Sequence, residues 1–224
     1  MTSVEGHVPG AASTGREPAR VLIVDDHHAV RQGLIGLLSD QPDFEVVAAK
    51  TTAEAAIGHA DHERVDVAVV DYQLGGRNGL WLTRRLKELA SPPGVVIFSA
   101  FANDHLAVCS IVAGADAILN KTSLGDELAN AIRAVRRGRR LLPRVSGPIV
   151  DLLRRRLDER DQMLYGMLLA GLPSADIEET LSISADELAA RRTAMLTRLE
   201  ALPGQISPRG GGGSRLDFDP RTSR

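Results

Sequence analysis

At 224 residues the chain has room for one large domain or two small ones, and its 43% apolar content suffices for a core of Leu, Val, Ala and Ile, aromatics being only 3%. A net charge of −2 gives no bulk attraction to nucleic acid, and the single cysteine, Cys109, excludes an internal disulfide. No apolar run approaches the ~18 residues of a membrane span, and the first twenty residues lack the apolar centre of a signal peptide, so a cytoplasmic protein without membrane association is expected.

Residues 1–19 are rich in Gly, Pro and small side chains and are expected to be disordered. Val21 to Val24 is a short apolar run closing on Asp25 and Asp26, a first strand. Apolar residues at 30, 34, 37 and 38 then predict a helix from His28 to Leu38, followed by a strand from Phe44 to Ala49. Thr51 or Thr52 caps a helix through His62, with Glu54 in its first turn. Val65 to Val70 is apolar except for Asp66 and runs into Asp71, which reads as a strand buried on both faces. Glycines at 75, 76 and 79 force a loop, so Asp71 stands at a strand's carboxyl end, where open α/β sheets place ligands. Taken alone, Asp71 reads more readily as a turn residue or helix cap; its partners decide.

A helix from Gly79 to Leu89 follows, then a strand from Gly94 to Ser99 and a helix opened by Asn103 or Asp104 that ends near Gly114. Asp116 to Lys121 is the fifth strand, and Ser123 caps a last helix, with Asp126 at N3, running to about Gly138. Five β-α alternations with short connections imply a parallel sheet with helices on both faces, a flavodoxin-like doubly wound (βα)5 unit over residues 20–138. Between Arg133 and Arg144 there are six arginines and no acid, and Pro143, Gly147 and Pro148 break the pattern, marking residues 139–148 as a basic linker. Residues 149–203 are all-helical. Asp158 to Ala170 ends at Gly171; a short helix opens at Pro173 or Ser174 and runs to Leu181; after Ser182-Ile183, Ser184 caps a helix to about Leu202. This is a small bundle with a helix-turn-helix at its end, and the tail 204–224, with Gly210 to Gly213, is expected to be disordered.

Such a sheet brings Asp25, Asp26, Asp71, Ser99 and Lys121 to one edge. Three carboxylates there repel unless a cation neutralises them, and hard oxygen ligands with room for water suit Mg2+. One carboxylate can then attack phosphorus to give an aspartyl phosphate, whose oxygens need donors: the Lys121 cation and the Ser99 hydroxyl. Singly, Lys121 reads as a solvated side chain and Ser99 as a cap; the joint arrangement is specific.

Through VLIVDDHH, VVDYQLGGRNGL, VVIFSA and AGADAILNK, residues 20–138 resemble the receiver domain of bacterial two-component response regulators. The resemblance implies that Asp71 is phosphorylated by a sensor histidine kinase. It also implies that Asp26, Asp71 and the backbone carbonyl of Gln73 hold Mg2+, with Asp25 helping through water. Ser99 and Lys121 would bind the phosphoryl oxygens and carry a switch that biases the faces of 103–138 toward a homodimer. Two positions depart from the family pattern: Gly75 replaces a usual Pro, and Ile118 replaces the Tyr or Phe that normally rotates with the switch. His27 and His28, being adjacent, point in different directions and are not expected to form a histidine metal site.

The C-terminal segment resembles the helix-turn-helix of NarL/LuxR-type regulators at Leu157, Arg160, Leu168 to Leu172, Ile177, Leu181, Ile183-Ser184, Leu188, Met195 and Leu199. That implies DNA binding, with Arg191 and Arg198 as the expected phosphate contacts and Arg192, at a usually apolar position, snorkelling from the bundle. Yet the reading end carries Asp186, Glu187, Ala189 and Ala190, and from Ile149 to Pro203 ten acids outweigh seven arginines. The leading expectation is a phosphorylation-controlled, dimeric transcription regulator; the alternative is a phospho-switch whose degenerate helix-turn-helix acts through a protein partner. An enzyme is not expected, because phosphatases of this chemistry usually place a second acid two residues after the nucleophile, where Gln73 stands.

Overall fold

The computed structural model describes residues 17–123 and 125–201, so of the tails expected to be disordered residues 1–16 and 204–224 lie outside the described residues, whereas Ala19, placed in the first tail by the sequence, is buried and opens the first strand. Five strands, β1 (Ala19–Val24), β2 (Phe44–Lys50), β3 (Val67–Val70), β4 (Gly94–Ser99) and β5 (Ala117–Asn120), form one sheet in the order β2-β1-β3-β4-β5. Every pairing is parallel. They alternate with α1 (His28–Ser39), α2 (Ala53–His62), α3 (Gly79–Lys87), α4 (Asp104–Ala113) and α5 (Gly125–Arg136). The order reverses between β1 and β3, which opens a crevice over their carboxyl ends.

Alternation along the strands divides the core between two faces, since successive side chains point oppositely. Leu22, Val24, Ala68, Val70, Val95 and Ile97 pack with residues of α2, α3 and α4, whereas Val21, Ile23, Val67, Val69, Val96 and Phe98 pack with α1 and α5. Helix starts are fixed by side-chain caps: Thr52, Asn78 and Asn103 accept from the backbone N–H groups of Ala55, Trp81 and Leu106. Each such cap contributes about 1 kcal/mol. Gly114 ends α4 at φ 96, a left-handed conformation that a side chain disfavours. Helix α5 is described from Gly125, and the expected cap at Ser123 turns on residue 124, which lies outside the described residues.

The C-terminal helices are α6 (Gly147–Arg154), α7 (Glu159–Leu169), α8 (Ser174–Leu181) and α9 (Ala185–Glu200). Gly147 and Pro148, read from the sequence as linker breakers, instead open α6; proline suits the first helical turn because its missing N–H would have no partner there. In the helix-turn-helix, Ser182 closes α8 at φ 51 and Ser184 caps α9 by accepting from Glu187 N–H. Among the described residues no helix is long and apolar enough to cross a membrane.

Helix α4 is buried on every side from His105 to Ala113. One flank meets the sheet; the other is covered by α6, α7 and α9, so that Leu153, Leu164, Tyr165, Met195 and Leu199 join the core cluster of the sheet. A helix apolar all round must be covered all round. In this conformation the α4 part of the face expected to support dimers is occupied by the chain's own C-terminal helices.

Candidate functional site

Pairing of Val24 with Val70 sets Asp25 and Asp71 side by side, one residue beyond the paired ends of β1 and β3. Both are anchored through the backbone, Asp71 N–H to the Val24 carbonyl at 2.8 Å and Asp25 N–H to Lys50 at 3.1 Å. Both are also buried, at 1% and 4% exposure. Lys121, just past β5, donates its N–H to the Ser99 carbonyl at 2.8 Å. Its ammonium lies 2.7 Å from Asp25 Oδ2 and 2.7 Å from Asp71 Oδ2. Asp26 is more exposed and meets His27 Nδ1 at 2.7 Å. Asp25, Asp26, His27 and Asp71 each offer a ligand atom, all within 4.8 Å of one another. His28 turns away to Arg31, at 3.4 Å.

The following loop is shaped around Asp71. Gln73 N–H donates to Asp71 Oδ1 at 3.3 Å, which keeps the backbone at 73 beside the carboxylate. Helix α3 starts so close behind that a Cβ on Gly79 would lie 2.2 Å from the Asp71 carbonyl oxygen. Ser99 is buried at the same edge, its hydroxyl accepting from Phe101 N–H at 3.2 Å.

Burial pushes the Asp71 carboxyl above its ordinary range; hydrogen bonding and charge from Lys121 pull it back in part, and Asp25 adds to the rise. For Lys121, burial works against the charge, but hydrogen bonds to both carboxylates outweigh it and hold the ammonium above its usual value. Two carboxylates thus face one ammonium, with the Asp26 carboxylate close beside them. The residual negative charge and the all-oxygen donors of the acids fit a hard divalent cation such as Mg2+.

Asp25, Asp26, Asp71 and Lys121 are brought together, with Ser99 and Gln73 at the same edge. Arg191 and Arg198 lie elsewhere, paired with acids of their own bundle: Arg191 Nε is 2.8 Å from Asp161 Oδ1, and Arg198 bonds Asp158. Arg192, expected to snorkel, instead keeps its head partly buried: the guanidinium donates to Ser174 Oγ at 3.3 Å and lies against Gly114, its Nε is buried without a partner, and burial lowers its pKa. Two contacts between the halves of the chain escaped the sequence reading. Asn78 Nδ2 donates to Glu200 Oε1 at 2.7 Å, and His105 Nε2 donates to the Leu199 carbonyl at 2.9 Å. Asn78 was legible only as a loop residue before a helix, and nothing local connects it to position 200.

An open parallel sheet with buried acids and a lysine meeting over its switch point defines a receiver-type fold. Residues 21–133 match the family model of the response regulator receiver domain. The chain is 30% identical over 191 residues to the transcriptional regulatory protein LiaR of Bacillus subtilis, covering 81% of this chain and 90% of LiaR. It is 31% identical over 175 residues to the DNA-binding transcriptional activator DevR/DosR of Mycobacterium tuberculosis, covering 74% and 81%. A solved LuxR-family two-component response regulator from an Aurantimonas species superposes with a TM-score of 0.53 at 30% identity, over 61% of this chain and 94% of that one. The chain belongs to the response regulators of two-component signal transduction systems, in their NarL/LuxR-type group.

Proposed function

We propose that Asp71 is the phosphoacceptor of this regulator, and that its phosphorylation by a sensor histidine kinase in the cytoplasm controls DNA binding and transcription. Residues 20–138 then form the receiver, 139–148 the linker and 149–203 the output unit, with a homodimer as the active state. The observation that carries this reading is the Lys121 ammonium held at 2.7 Å from both Asp25 and Asp71.

In the reaction an Asp71 oxygen attacks phosphorus, the bond from phosphorus to the donor's histidine nitrogen breaks, and the imidazole leaves with that electron pair. Asp26, Asp71 and the Gln73 carbonyl would hold Mg2+, with Asp25 acting through water; the ion supplies charge neutralisation at the phosphoryl oxygens. Lys121 moves its hydrogen bond from Asp71 Oδ2 to a phosphoryl oxygen. Ser99 donates its hydroxyl to another, drawing on the 100–103 loop that its Oγ now holds through Phe101. That loop leads into α4, where His105 holds the end of α9, while the loop after Asp71 ends at Asn78, which holds Glu200. Phosphorylation therefore acts at both anchor points of α9, a route that does not use position 118. The protein is a stoichiometric receiver in this scheme, not a turnover enzyme.

A second reading, an output unit that works through a protein partner, is favoured by the engagement of Arg191 and Arg198 with Asp161 and Asp158. Mobility shift over genomic fragments at low salt, with acetyl phosphate and Mg2+ present or withheld, separates the two. The DNA reading requires retention that increases on phosphorylation in the wild type and does not increase in Asp71→Asn. No retention in either state supports the protein-partner reading.

A further inference from the structure

The arginines of this chain fall into two groups with opposite surroundings. From α7 onward, each of the four in the described residues is already bonded: Arg160 to Glu187, Arg191 to Asp161, Arg192 to Ser174 and Arg198 to Asp158. Upstream, Arg137, Arg139, Arg144, Arg154, Arg155 and Arg156 are exposed, and no side-chain hydrogen bond or ion pair reaches them among the described residues. From Arg137 to Arg156 there are seven arginines and a single acid, Asp151.

The segment that presents them is held in place. Leu141 bridges to Ala117 beside β5, its N–H donating to the Asp116 carbonyl at 2.6 Å, and Ser146 N–H donates to Asp104 Oδ2 at 3.1 Å. Leu142 and Val145 pack against the core between these pins and Ile149 just beyond them, while Arg139 and Arg144 stay exposed. At the end of α6 and just beyond it, Leu153 and Leu157 are buried and the three consecutive arginines between them are not. A cation at a helix C-terminus is favoured by the dipole, which accounts for one arginine here but not for three in succession. Adjacent like charges repel, and a polyanion relieves that repulsion while a single carboxylate does not.

We infer that this linker-and-α6 arginine strip, rather than the arginines of α9, is the surface that engages the phosphate backbone of nucleic acid. The inference rests on the DNA-binding reading above and deepens it. An arginine in an ion pair must give up that partner before it meets a phosphate, whereas an unpaired one gives the full gain of counterion release. The strip is also accessible while α9 remains seated on α4. Its binding is therefore independent of sequence and of phosphorylation, because phosphate contacts orient a protein on DNA without reading bases.

The test is fluorescence anisotropy of the full chain with a labelled random-sequence duplex across a salt series. Six phosphate contacts give a log–log salt slope of about −5, which is about a thousandfold loss of affinity between 50 and 200 mM salt. Replacing Arg137, Arg139 and Arg144 by Gln is expected to remove about half of that slope, replacing Arg154, Arg155 and Arg156 the other half, and the two sets together nearly all of it. Arg191→Gln with Arg198→Gln should leave the slope unchanged. All six strip residues lie outside the core, so melting temperatures should match the wild type and exclude misfolding as the cause. Slopes unaffected by the six-fold replacement, or lost in the α9 pair instead, overturn the inference while leaving DNA binding intact. A wild type that fails to bind duplex at the lowest salt overturns the inference, and one that fails also after incubation with acetyl phosphate and Mg2+ overturns the DNA-binding reading with it. Binding to phosphatidylserine vesicles in place of duplex overturns the inference in favour of a membrane surface as the strip's partner.

Discussion

Lys121→Met removes the ammonium between Asp25 and Asp71 while keeping much of the side chain's bulk. In the wild type two contacts of 2.7 Å neutralise carboxylates that are almost fully buried. Breaking a buried pair by deleting one partner costs about 3–5 kcal/mol, because the charge left behind cannot leave the interior. Lys121 itself is partly open to solvent, which screens some of that loss, so the lower end, about 3 kcal/mol, is expected at pH 8 without metal. For a chain of this size that is a fall of about 6–12 °C in melting temperature. The sign of the pH dependence follows from Asp71, whose carboxyl is already raised by burial and rises further without the lysine. An acid with a raised folded-state pKa loses stability as pH climbs through that value and regains it below. The gap between wild type and variant should therefore be widest at pH 8 and narrow by pH 5, and Mg2+ should narrow it as well. Thermal unfolding by circular dichroism in EDTA, and again with Mg2+, measures all four conditions. A gap under about 0.5 kcal/mol, or one indifferent to both pH and Mg2+, would refute the reasoning that this ammonium balances these acids.

Three further outcomes follow from the same geometry. Mg2+ at ten times its dissociation constant should stabilise the wild type by about 1.4 kcal/mol, seen as a rise of about 3–5 °C, and the rise should vanish in Asp26→Asn. Gly79→Ala, whose Cβ would meet the Asp71 carbonyl oxygen at 2.2 Å, should cost at least about 2–3 kcal/mol in denaturant melts and weaken Mg2+ binding by calorimetry, since the loop must shift. Glu200 is raised by burial and only partly compensated by Asn78, so its charge costs stability as pH rises. Glu200→Gln, which keeps an acceptor for Asn78, should therefore raise the melting temperature at pH 8 and change it little at pH 5.

The sheet was legible because parallel strands buried on both faces appear as short apolar runs, and the acids closing the first and third runs gave away the site. Strand β3 illustrates it: three valines and an alanine bounded by Asp66 and Asp71 leave no other placement. Helix α6 was misread because Pro148 carries opposite meanings inside a helix and in its first turn, and only the packing of Leu153 tells which applies. The seating of α9 on α4 had one visible signal, a helix apolar on every face from Leu106 to Ala113 apart from Ser110. That pattern demands cover without saying what supplies it, and a second subunit fits it as well as the chain's own C-terminal helices. Contacts such as Asn78 with Glu200 join polar residues 122 positions apart and leave no periodic trace. The ion pairs of Arg191 and Arg198 depend on which acids face them across the bundle, which residue counting cannot supply.

The central claim is that Asp71, with Lys121 facing it and acids beside it, takes up a phosphoryl group. Incubating the full chain with acetyl phosphate and Mg2+ and weighing it intact tests this most directly. The account predicts one phosphoryl group on the wild type, none on Asp71→Asn, and none on the wild type when EDTA removes the metal. An equal gain in mass by Asp71→Asn, or none by the wild type, would contradict it.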